Sequence, residues 1–212
     1  MTPQTFRGKV FHVVTGTTHP AYSLETFSRE ENDFRDKYWD VQPGDVVFDV
    51  GASYGSYTLT ALAAGAARIV SFEPEPSVFA DLQRNISVNG WQGKCTALNM
   101  GLWDELARVD MKSYAPHWPA QTITGDYSMT TLDDFARDAS RLDGLKIDVE
   151  GAEARALRGG RATIARCKPR VIVEVHSFLD PTLLQQCKDL LPDYEFEEVP
   201  RDECVLLVAS PI

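Results

Sequence analysis

From residue 43 onward, short runs of apolar and β-branched residues alternate with longer segments in which apolar residues recur at helical spacing. The short runs predict buried strands, and the longer segments predict amphipathic helices. This alternation is typical of a parallel sheet with helices on both faces. Strands are predicted at 46–50, 68–72, 94–99, 144–149, 170–176, 194–199 and 204–209. Helices are expected to begin near Tyr57, Ser77, Ala152 and Pro181.

The last two predicted strands are joined only by residues 200–203. A parallel crossover needs a dozen or more residues, usually with a helix, so this link is too short for one. We therefore expect the sheet to end in an antiparallel hairpin.

The segment before the sheet, 1–40, is predicted to form a helical arm. Leu24, Phe27, Phe34 and Tyr38 recur at helical spacing, and residues 28–31 have the S-x-x-E form of a capping box. One or two helices should end near residue 39. The arm could pack on the domain or act as a lid over the substrate.

Between residues 105 and 130 the periodicity breaks down. Tyr114, His117, Trp118 and Tyr127 lie here among Pro, Gly and Thr residues. Long irregular segments in compact domains are often functional. We expect a substrate-facing insertion, and a purely structural excursion is the alternative.

The length and composition of the chain limit the number of domains that it can form. A chain of 212 residues with 43% hydrophobic residues can fill one core, so a single domain is expected. The four cysteines are widely spaced and form no C-x-x-C pair, which favours reduced, mostly buried thiols.

Charge narrows the choice of partners. The formal net charge of -10 repels a phosphate backbone, so nucleic acid is not an expected partner. No apolar run approaches the roughly 20 residues that cross a bilayer, and the first residues do not resemble a signal peptide. We expect a cytoplasmic protein that does not bind membranes and acts on a small molecule or a peptide. Its oligomeric state is open.

The first chemical signal is the turn after the strand 46–50. Gly51 and Gly55 allow a close backbone approach to a ligand, and Asp49 can direct a carboxylate at a cationic group. A phosphate site favours tighter glycine spacing without an acid. The turn therefore indicates a cationic ligand, with an ordinary tight turn as the alternative.

The second signal is Glu73, which follows the strand 68–72 and lies 22 positions after Gly51. An acid at this place can bind both ribose hydroxyls of an adenosine. The same acid would suit NAD, but the first turn favours S-adenosylmethionine. A surface acid without function is the alternative.

The third signal is a predicted central strand with a charge at every second position. Alternation places Lys146, Asp148 and Glu150 on one face. A central parallel strand is normally apolar on both faces, so charged residues in this strand indicate a structural or functional role. Lys146 could neutralise Glu174 on the next strand, and we assign that pair to structure.

Asp148, Glu150 and His176 lie near the carboxyl ends of their strands, where open α/β sheets bind ligands. We assign these three to catalysis. His176 or a neighbouring carboxylate could take the proton from a substrate hydroxyl. His176 could instead be a structural histidine. No metal is expected, although the three could bind a divalent ion that acidifies the hydroxyl.

Several motifs together resemble the FkbM family of methyltransferases over residues 39–176. They are Asp49-Val50-Gly51-Ala52, Phe72-Glu73-Pro74, Thr131-Leu132-Asp133-Asp134-Phe135, Lys146-Ile147-Asp148-Val149-Glu150-Gly151-Ala152-Glu153 and Glu174-Val175-His176. The resemblance implies a class I methyltransferase fold, an α/β, Rossmann-like, seven-stranded and mostly parallel sheet. It also implies S-adenosylmethionine as donor, and most often O-methylation of a sugar or secondary metabolite.

The resemblance also implies roles by position. The methionine part of the donor would contact Asp49, Gly51 and Gly55, and the ribose would contact Glu73 beside Pro74. Residues 99–102, with Gly101 and Leu102, would flank the adenine. Asp148 would face the methionine amino group or the nucleophile. The chain departs from the family at Ser53, where Asn is usual and a hydroxyl can still donate one hydrogen bond, and at Trp103, where a small residue is usual.

Three other functions are compatible with the sequence. A variant turn could belong to a nicotinamide oxidoreductase. The chain could bind S-adenosylmethionine without catalysis. Methyl transfer could also be directed to a peptide or a carboxylate.

Overall fold

The computed structural model describes residues 1–14, 27–110, 126–201 and 204–212. These residues form two compact units, Met1–Asn99 and Met100–Ile212. The single domain predicted from the chain length stays a prediction. Within the described ranges, no helix is both long enough and apolar enough to span a bilayer.

The described residues of the first unit, 1–14 and 27–99, form an antiparallel hairpin, three helices and three parallel strands. The order is β1 (Thr2–Phe6), β2 (Lys9–Val13), α1 (Arg29–Tyr38), β3 (Val46–Val50), α2 (Ser56–Ala64), β4 (Arg68–Phe72), α3 (Pro76–Val88) and β5 (Cys95–Leu98). Strand β4 pairs in parallel with β3 on one side and β5 on the other. Their carboxyl ends therefore lie at one edge, where the predicted donor-binding residues follow them.

The N-terminal prediction is half correct. Helix α1 is confirmed, and its N-cap Ser28 accepts a hydrogen bond from the backbone N–H of Glu31 at 3.2 Å. Residues 2–13 form a hairpin instead of a helix. Its turn places Arg7 and Gly8 at positive φ (45° and 75°), and arginine there gives a weaker sequence signal than Asn-Gly or Asp-Gly. Leu24 is outside the described residues, and the lid stays a prediction.

Helix α2 forms the centre of the first unit's core. It is apolar on nearly all sides, because β-strands and the N-terminal hairpin surround it. Tyr57 and Leu59 are buried in one cluster with Phe11 of the hairpin and Leu82 of α3. Burial of each such side chain contributes about 1.5–3 kcal/mol. The packing holds the start of α2 in place, directly after the glycine turn.

In the second unit, the strands within the described residues form one set of four paired strands and one three-stranded sheet. The order is β6 (Gly101–Leu102), β7 (Ala107–Asp110), β8 (Asp126–Thr130), α4 (Leu132–Phe135), β9 (Gly144–Ile147), α5 (Glu153–Arg158), α6 (Arg161–Cys167), β10 (Arg170–Val175), α7 (Leu183–Asp189), β11 (Tyr194–Pro200) and β12 (Val205–Pro211). Strand β10 is parallel to β9 and antiparallel to β12. The predicted hairpin is confirmed, because β11 pairs antiparallel with β12.

The described parts of the stretch 105–130, residues 105–110 and 126–130, are more regular than predicted. Strands β7 and β8 pair antiparallel within it, and β8 also pairs in parallel with β6. Tyr127 lies in β8 and is buried, so it belongs to the core of the small sheet. Tyr114, His117 and Trp118 lie outside the described residues. The substrate-facing insertion stays a prediction.

Candidate active site

The glycine turn after β3 is fixed by backbone hydrogen bonds and by packing. The N–H groups of Gly51 and Ala52 both donate to the carbonyl of Phe72 at the end of β4, at 3.0 and 2.9 Å. Gly51 and Gly55 have φ of 73° and 101°. A Cβ on Gly55 would lie 2.8 Å from Cδ1 of Leu82. The positive φ therefore favours glycine at residue 55, and a side chain there would also displace the end of the Leu82 side chain.

Glu73 lies at the tip of β4 with its carboxylate held from two sides. Oε2 accepts from the backbone N–H of Ser53 and Oε1 from that of Glu75, both at 2.9 Å. The residue is only 3% exposed. Ionised carboxylate oxygens can accept about two hydrogen bonds each. The arrangement fixes the carboxylate in one orientation, as a site for a ribose diol requires.

Ser53 contributes to this site through its backbone. Its φ is 50°, in the left-handed region that favours glycine and asparagine. This conformation aims its N–H at Glu73, and it explains why asparagine would suit the position. The predicted contact of the Ser53 hydroxyl with the donor stays a prediction.

Pro74 and Asn99 connect the tips of β4 and β5. The Asn99 side chain donates to the carbonyls of Glu73 and Pro74, both at 2.9 Å. These bonds hold the chain on either side of the Glu73 carboxylate. Pro74 thus lies beside the predicted ribose site, and its contact with a donor stays a prediction.

Asp49 is fully buried in a polar network. Its Oδ2 accepts from Oγ1 of Thr58 at 2.6 Å, and Thr58 in turn lies 2.7 Å from Oγ of Ser71. Cys95 lies 3.6 Å beyond Ser71, and burial raises the pKa of its thiol to about 11. The structure thus shows Asp49 fixed to α2, and direct contact with the methionine part stays a prediction.

Sequence reasoning missed Thr58, Ser71 and Asn85. Asn85 is fully buried on α3, accepts from the N–H of Val14 and donates to the carbonyl of Tyr54. It therefore links the glycine turn to the N-terminal hairpin. Each of the three is a polar residue within an otherwise apolar part of a helix or strand. Buried polar residues normally have a hydrogen-bond partner, so this pattern could have indicated a buried hydrogen bond.

The residues of this unit fit S-adenosylmethionine. A carboxylate with fixed orientation suits a diol, and its negative charge would repel a phosphate at the same place. Both features agree with a cationic nucleoside.

In the second unit, Gly101 and Leu102 form β6. They pair with Met129 and Thr130 of β8, and both are buried. The position is therefore structurally fixed, and contact with adenine stays a prediction.

Trp103 departs from the family pattern for a reason of packing. It is 7% exposed, and the Arg155 guanidinium lies 4.9 Å from its ring centroid. A Cβ on Gly159 would lie 1.9 Å from the Trp103 carbonyl oxygen. This close contact requires glycine at residue 159.

The Thr131–Phe135 motif has a structural role. Thr131 caps α4, and the Asp133 carboxylate accepts from the N–H groups of Ala162 and Thr163 in the first turn of α6. Negative charge at a helix N-terminus is stabilising. The motif therefore connects two helices.

The three predicted catalytic residues lie together in the second unit. One potential ligand atom from each of Asp148, Glu150 and His176 lies within 4.8 Å of the others. Nε2 of His176 is 3.4 Å from Oε2 of Glu150. Strand β9 ends at Ile147, two residues before the predicted end, and the chain turns at Glu150 and Gly151, which have positive φ. The spatial grouping expected from the sequence is present.

Glu153 was not predicted as a member of this site. Nδ1 of His176 donates to its Oε1 at 2.8 Å, and the backbone N–H of Gly151 donates to the same oxygen at 2.9 Å. Glu153 is fully buried at the start of α5. Its signal in the sequence was the final charge of the motif at 146–153.

The surroundings of His176 determine its protonation. Burial lowers its pKa, but the hydrogen bond to Glu153 and the charges of Glu150 and Asp148 outweigh burial and raise the pKa to about 9. The imidazole is therefore protonated at neutral pH in this structure. A base at neutral pH would be one of the carboxylates, the second option that the sequence left open.

Lys146 forms an ion pair with Asp148 of this cluster and acts on Glu174 through its charge. Its Nζ lies 3.3 Å from Oδ2 of Asp148, so its ion pair includes a site residue and is not purely structural. Repulsion from Asp148 and burial raise the pKa of Glu174, while Cys204 and Lys146 lower it. Glu174 also accepts from Sγ of Cys204 at 3.2 Å.

Comparisons with known proteins agree with the sequence motifs. Residues 49–198 match the Methyltransferase FkbM domain. Methyltransferase 1 of Beauveria bassiana (strain ARSEF 2860) is 30% identical over 173 residues, which are 66% of this chain and 70% of that protein.

Solved structures show the fold. Methyltransferase FkbM from Methylobacillus flagellatus KT has 22% identity and a TM-score of 0.62, over 78% of this chain and 43% of that one. The chain thus spans less than half of that protein. Precorrin-6y C5,15-methyltransferase from Geobacter metallireducens GS-15 has 14% identity and a TM-score of 0.59, over 95% of each chain.

The predicted fold and family are both confirmed. The structural neighbours are class I methyltransferases of α/β architecture with a mixed, mostly parallel sheet. The FkbM domain covers well over half of the chain. The chain therefore belongs to the FkbM methyltransferase family.

Proposed function

We propose that the chain is an S-adenosylmethionine-dependent O-methyltransferase that acts on a hydroxyl of a sugar or secondary metabolite. The observation that best supports binding of this donor is the fixed orientation of the Glu73 carboxylate, which accepts hydrogen bonds from the backbone N–H groups of Ser53 and Glu75. The family membership supports methyl transfer as the reaction.

The donor-binding part of the proposal assigns a role to each predicted donor residue. Glu73, beside Pro74, holds the two ribose hydroxyls. The methionine part lies near Asp49, Gly51, Ser53 and Gly55, and the adenine lies near Gly101 and Leu102. Asp148 faces the methionine amino group or the nucleophile.

The acceptor-activating part uses the Asp148, Glu150 and His176 cluster. The sulfonium already activates the methyl group, so the protein has to position and deprotonate the acceptor. Asp148 or Glu150 takes the hydroxyl proton, because the pKa of His176 is raised to about 9. The protonated His176 then keeps the neighbouring carboxylates oriented.

The charge of this cluster favours a hydroxyl acceptor over a carboxylate. Asp148, Glu150 and Glu153 surround His176, and Lys146 is paired with Asp148. Three carboxylates against two cations leave excess negative charge, which repels an anionic acceptor. Methylation of a peptide or carboxylate is therefore the second candidate.

The direct test is transfer of a labelled methyl group from S-adenosylmethionine to acceptors presented in matched pairs. Each pair contains a neutral sugar or polyol and its uronic acid or carboxylate counterpart. We expect label and S-adenosylhomocysteine to form only with hydroxyl acceptors, at the oxygen. Label on the carboxylate or on peptides would contradict O-methylation of a hydroxyl.

Two variants separate catalysis from simple donor binding. Glu150→Gln should lose at least ten-fold in turnover, while Glu195→Gln at an exposed position of β11 should retain it. A protein that only binds the donor would form no S-adenosylhomocysteine with any acceptor. Saturable binding of NADH would instead support an oxidoreductase.

A further inference from the structure

We propose that Asp148, Glu150 and His176 form a binding site for a divalent metal ion with two oxygen ligands and one nitrogen ligand. The proposal deepens the proposed function, because the ion would act on the acceptor hydroxyl. Its binding can be measured without any methyl transfer.

The geometry of the three side chains suits one ion. Ligands at about 2.1 Å from a metal lie roughly 3.0 Å apart when adjacent in an octahedron. Nε2 of His176 lies 3.4 Å from Oε2 of Glu150, and the three ligand atoms lie within 4.8 Å of one another. Small side-chain rotations therefore bring all three to coordination distance.

Glu153 provides a second, independent observation. It is fully buried, and its Oε1 accepts from Nδ1 of His176. Its Oε2 has no hydrogen-bond partner among the residues that the structure describes. A buried carboxylate with one unsatisfied oxygen is costly. Metal-bound histidines usually donate their other ring N–H to a carboxylate of this kind, which orients the ring and raises its basicity.

The orientation of His176 follows from this contact. Because Nδ1 is directed at Glu153, the opposite ring nitrogen, Nε2, is the one directed at Glu150. The histidine therefore presents one defined nitrogen to the two carboxylates. A histidine held in one orientation loses little freedom when it binds a metal.

The local charge also favours a dication. Four carboxylates, those of Asp148, Glu150, Glu153 and Glu174, lie close enough to affect His176 or one another. Lys146 offsets part of this charge through its ion pair with Asp148. A divalent ion would neutralise the two carboxylates that bind it. The competing explanation is that Lys146 and a protonated His176 already balance the cluster.

The ligand set indicates the class of metal. Carboxylates suit Mg²⁺ and Mn²⁺, whereas imidazole suits first-row transition ions, so a mixed set favours Mn²⁺ or a similar ion. Three protein ligands leave positions for water or a substrate hydroxyl. Binding of such an ion would release the Nε2 proton of His176, and the bound ion would lower the pKa of a coordinated hydroxyl.

The test is calorimetric titration of the chelator-treated, dialysed protein with Mn²⁺. A second measurement determines the concentration of free Mn²⁺ from its electron paramagnetic resonance signal. We expect one Mn²⁺ per chain. Asp148→Asn and His176→Ala should weaken binding at least ten-fold, and Glu153→Gln about 10- to 100-fold. The control Glu195→Gln removes an exposed carboxylate of β11 and should bind like the wild type.

Thermal unfolding of each variant shows whether it is folded, and the Glu153→Gln variant is expected to keep all three ligands. Absence of saturable Mn²⁺ binding to the wild type would overturn the proposal. Equal binding by wild type, Asp148→Asn and His176→Ala would overturn it as well.

Titration of the same chelator-treated protein with S-adenosylhomocysteine separates this proposal from the proposed function. Binding of S-adenosylhomocysteine without binding of Mn²⁺ would contradict the metal site and would still support the proposed methyltransferase function. Mn²⁺ binding without donor-product binding would support the metal site and contradict the methyltransferase.

Discussion

Nδ1 of His176 lies 2.8 Å from Oε1 of Glu153, a carboxylate that is fully buried at the start of α5. The contact connects the end of β10 to α5 and determines which ring nitrogen is directed at Glu150. Glu153 acts through His176 and is a positioning residue. Its effect on His176 is measurable without any ligand.

Replacement of Glu153 by Gln should lower the pKa of His176. Gln can still accept a hydrogen bond from Nδ1, but it lacks the negative charge that stabilises the imidazolium. We expect the pKa to fall from about 9 by at least one unit in an NMR titration of the ring C–H signals. The control Glu195→Gln should leave it unchanged. An equal pKa in Glu153→Gln and wild type would contradict this contact.

Stability should depend on pH through His176. Its folded pKa of about 9 lies above the ordinary value of 6.5, so its contribution is fully present below pH 6.5 and is lost as the pH rises through about 9. We expect the free energy of unfolding to fall by on the order of 2 kcal/mol over this range. Urea unfolding of wild type and His176→Gln, compared at each pH, isolates this contribution. Parallel curves for the two proteins would contradict it.

Gly159→Ala should destabilise the protein strongly. The new Cβ would lie 1.9 Å from the backbone oxygen of Trp103, which cannot rotate away. We expect a loss of more than about 2 kcal/mol, measured by chemical denaturation. Gly93→Ala is the matched control, because its Cβ would meet nothing within 4 Å. Similar effects of the two substitutions would show that the close contact is absent.

Thr58→Val should destabilise the first unit, because it removes the hydroxyl that donates to Asp49 and leaves a buried carboxylate with one bond fewer. The expected cost is about 1–3 kcal/mol. Thr58→Ser keeps the hydroxyl and should retain most of the stability. Chemical denaturation of both variants checks the difference, and equal stability would contradict the role of the hydroxyl.

The sheet could be predicted because its signals are local. All seven predicted strands are found, three in the first unit and four in the second. Strands 46–50 and 68–72 have the predicted bounds, since each is an apolar run that ends at a turn residue. Strands β1 and β2 were missed because their turn uses Arg7 where asparagine or aspartate would have signalled it.

The grouping of Asp148, Glu150 and His176 could be predicted because β9 and β10 are parallel neighbours whose carboxyl ends lie side by side. The predicted alternation did not extend to Asp148 and Glu150, because β9 ends at Ile147. The role of Glu153 could not be predicted, since its contact with His176 depends on how α5 begins after two residues of positive φ. Similarly, the buried Asp49 resembles a ligand-binding acid in the sequence. Only the packing shows that Thr58 already binds its carboxylate.

The most direct test of the donor site is calorimetric titration of wild type and Glu73→Gln with S-adenosylhomocysteine. The account predicts saturable one-to-one binding by the wild type. It predicts binding about 10- to 100-fold weaker in Glu73→Gln, because a charged hydrogen-bond acceptor for the ribose is lost. Glu195→Gln should bind like the wild type. Equal affinity of Glu73→Gln and wild type would contradict the donor site at the tip of β4.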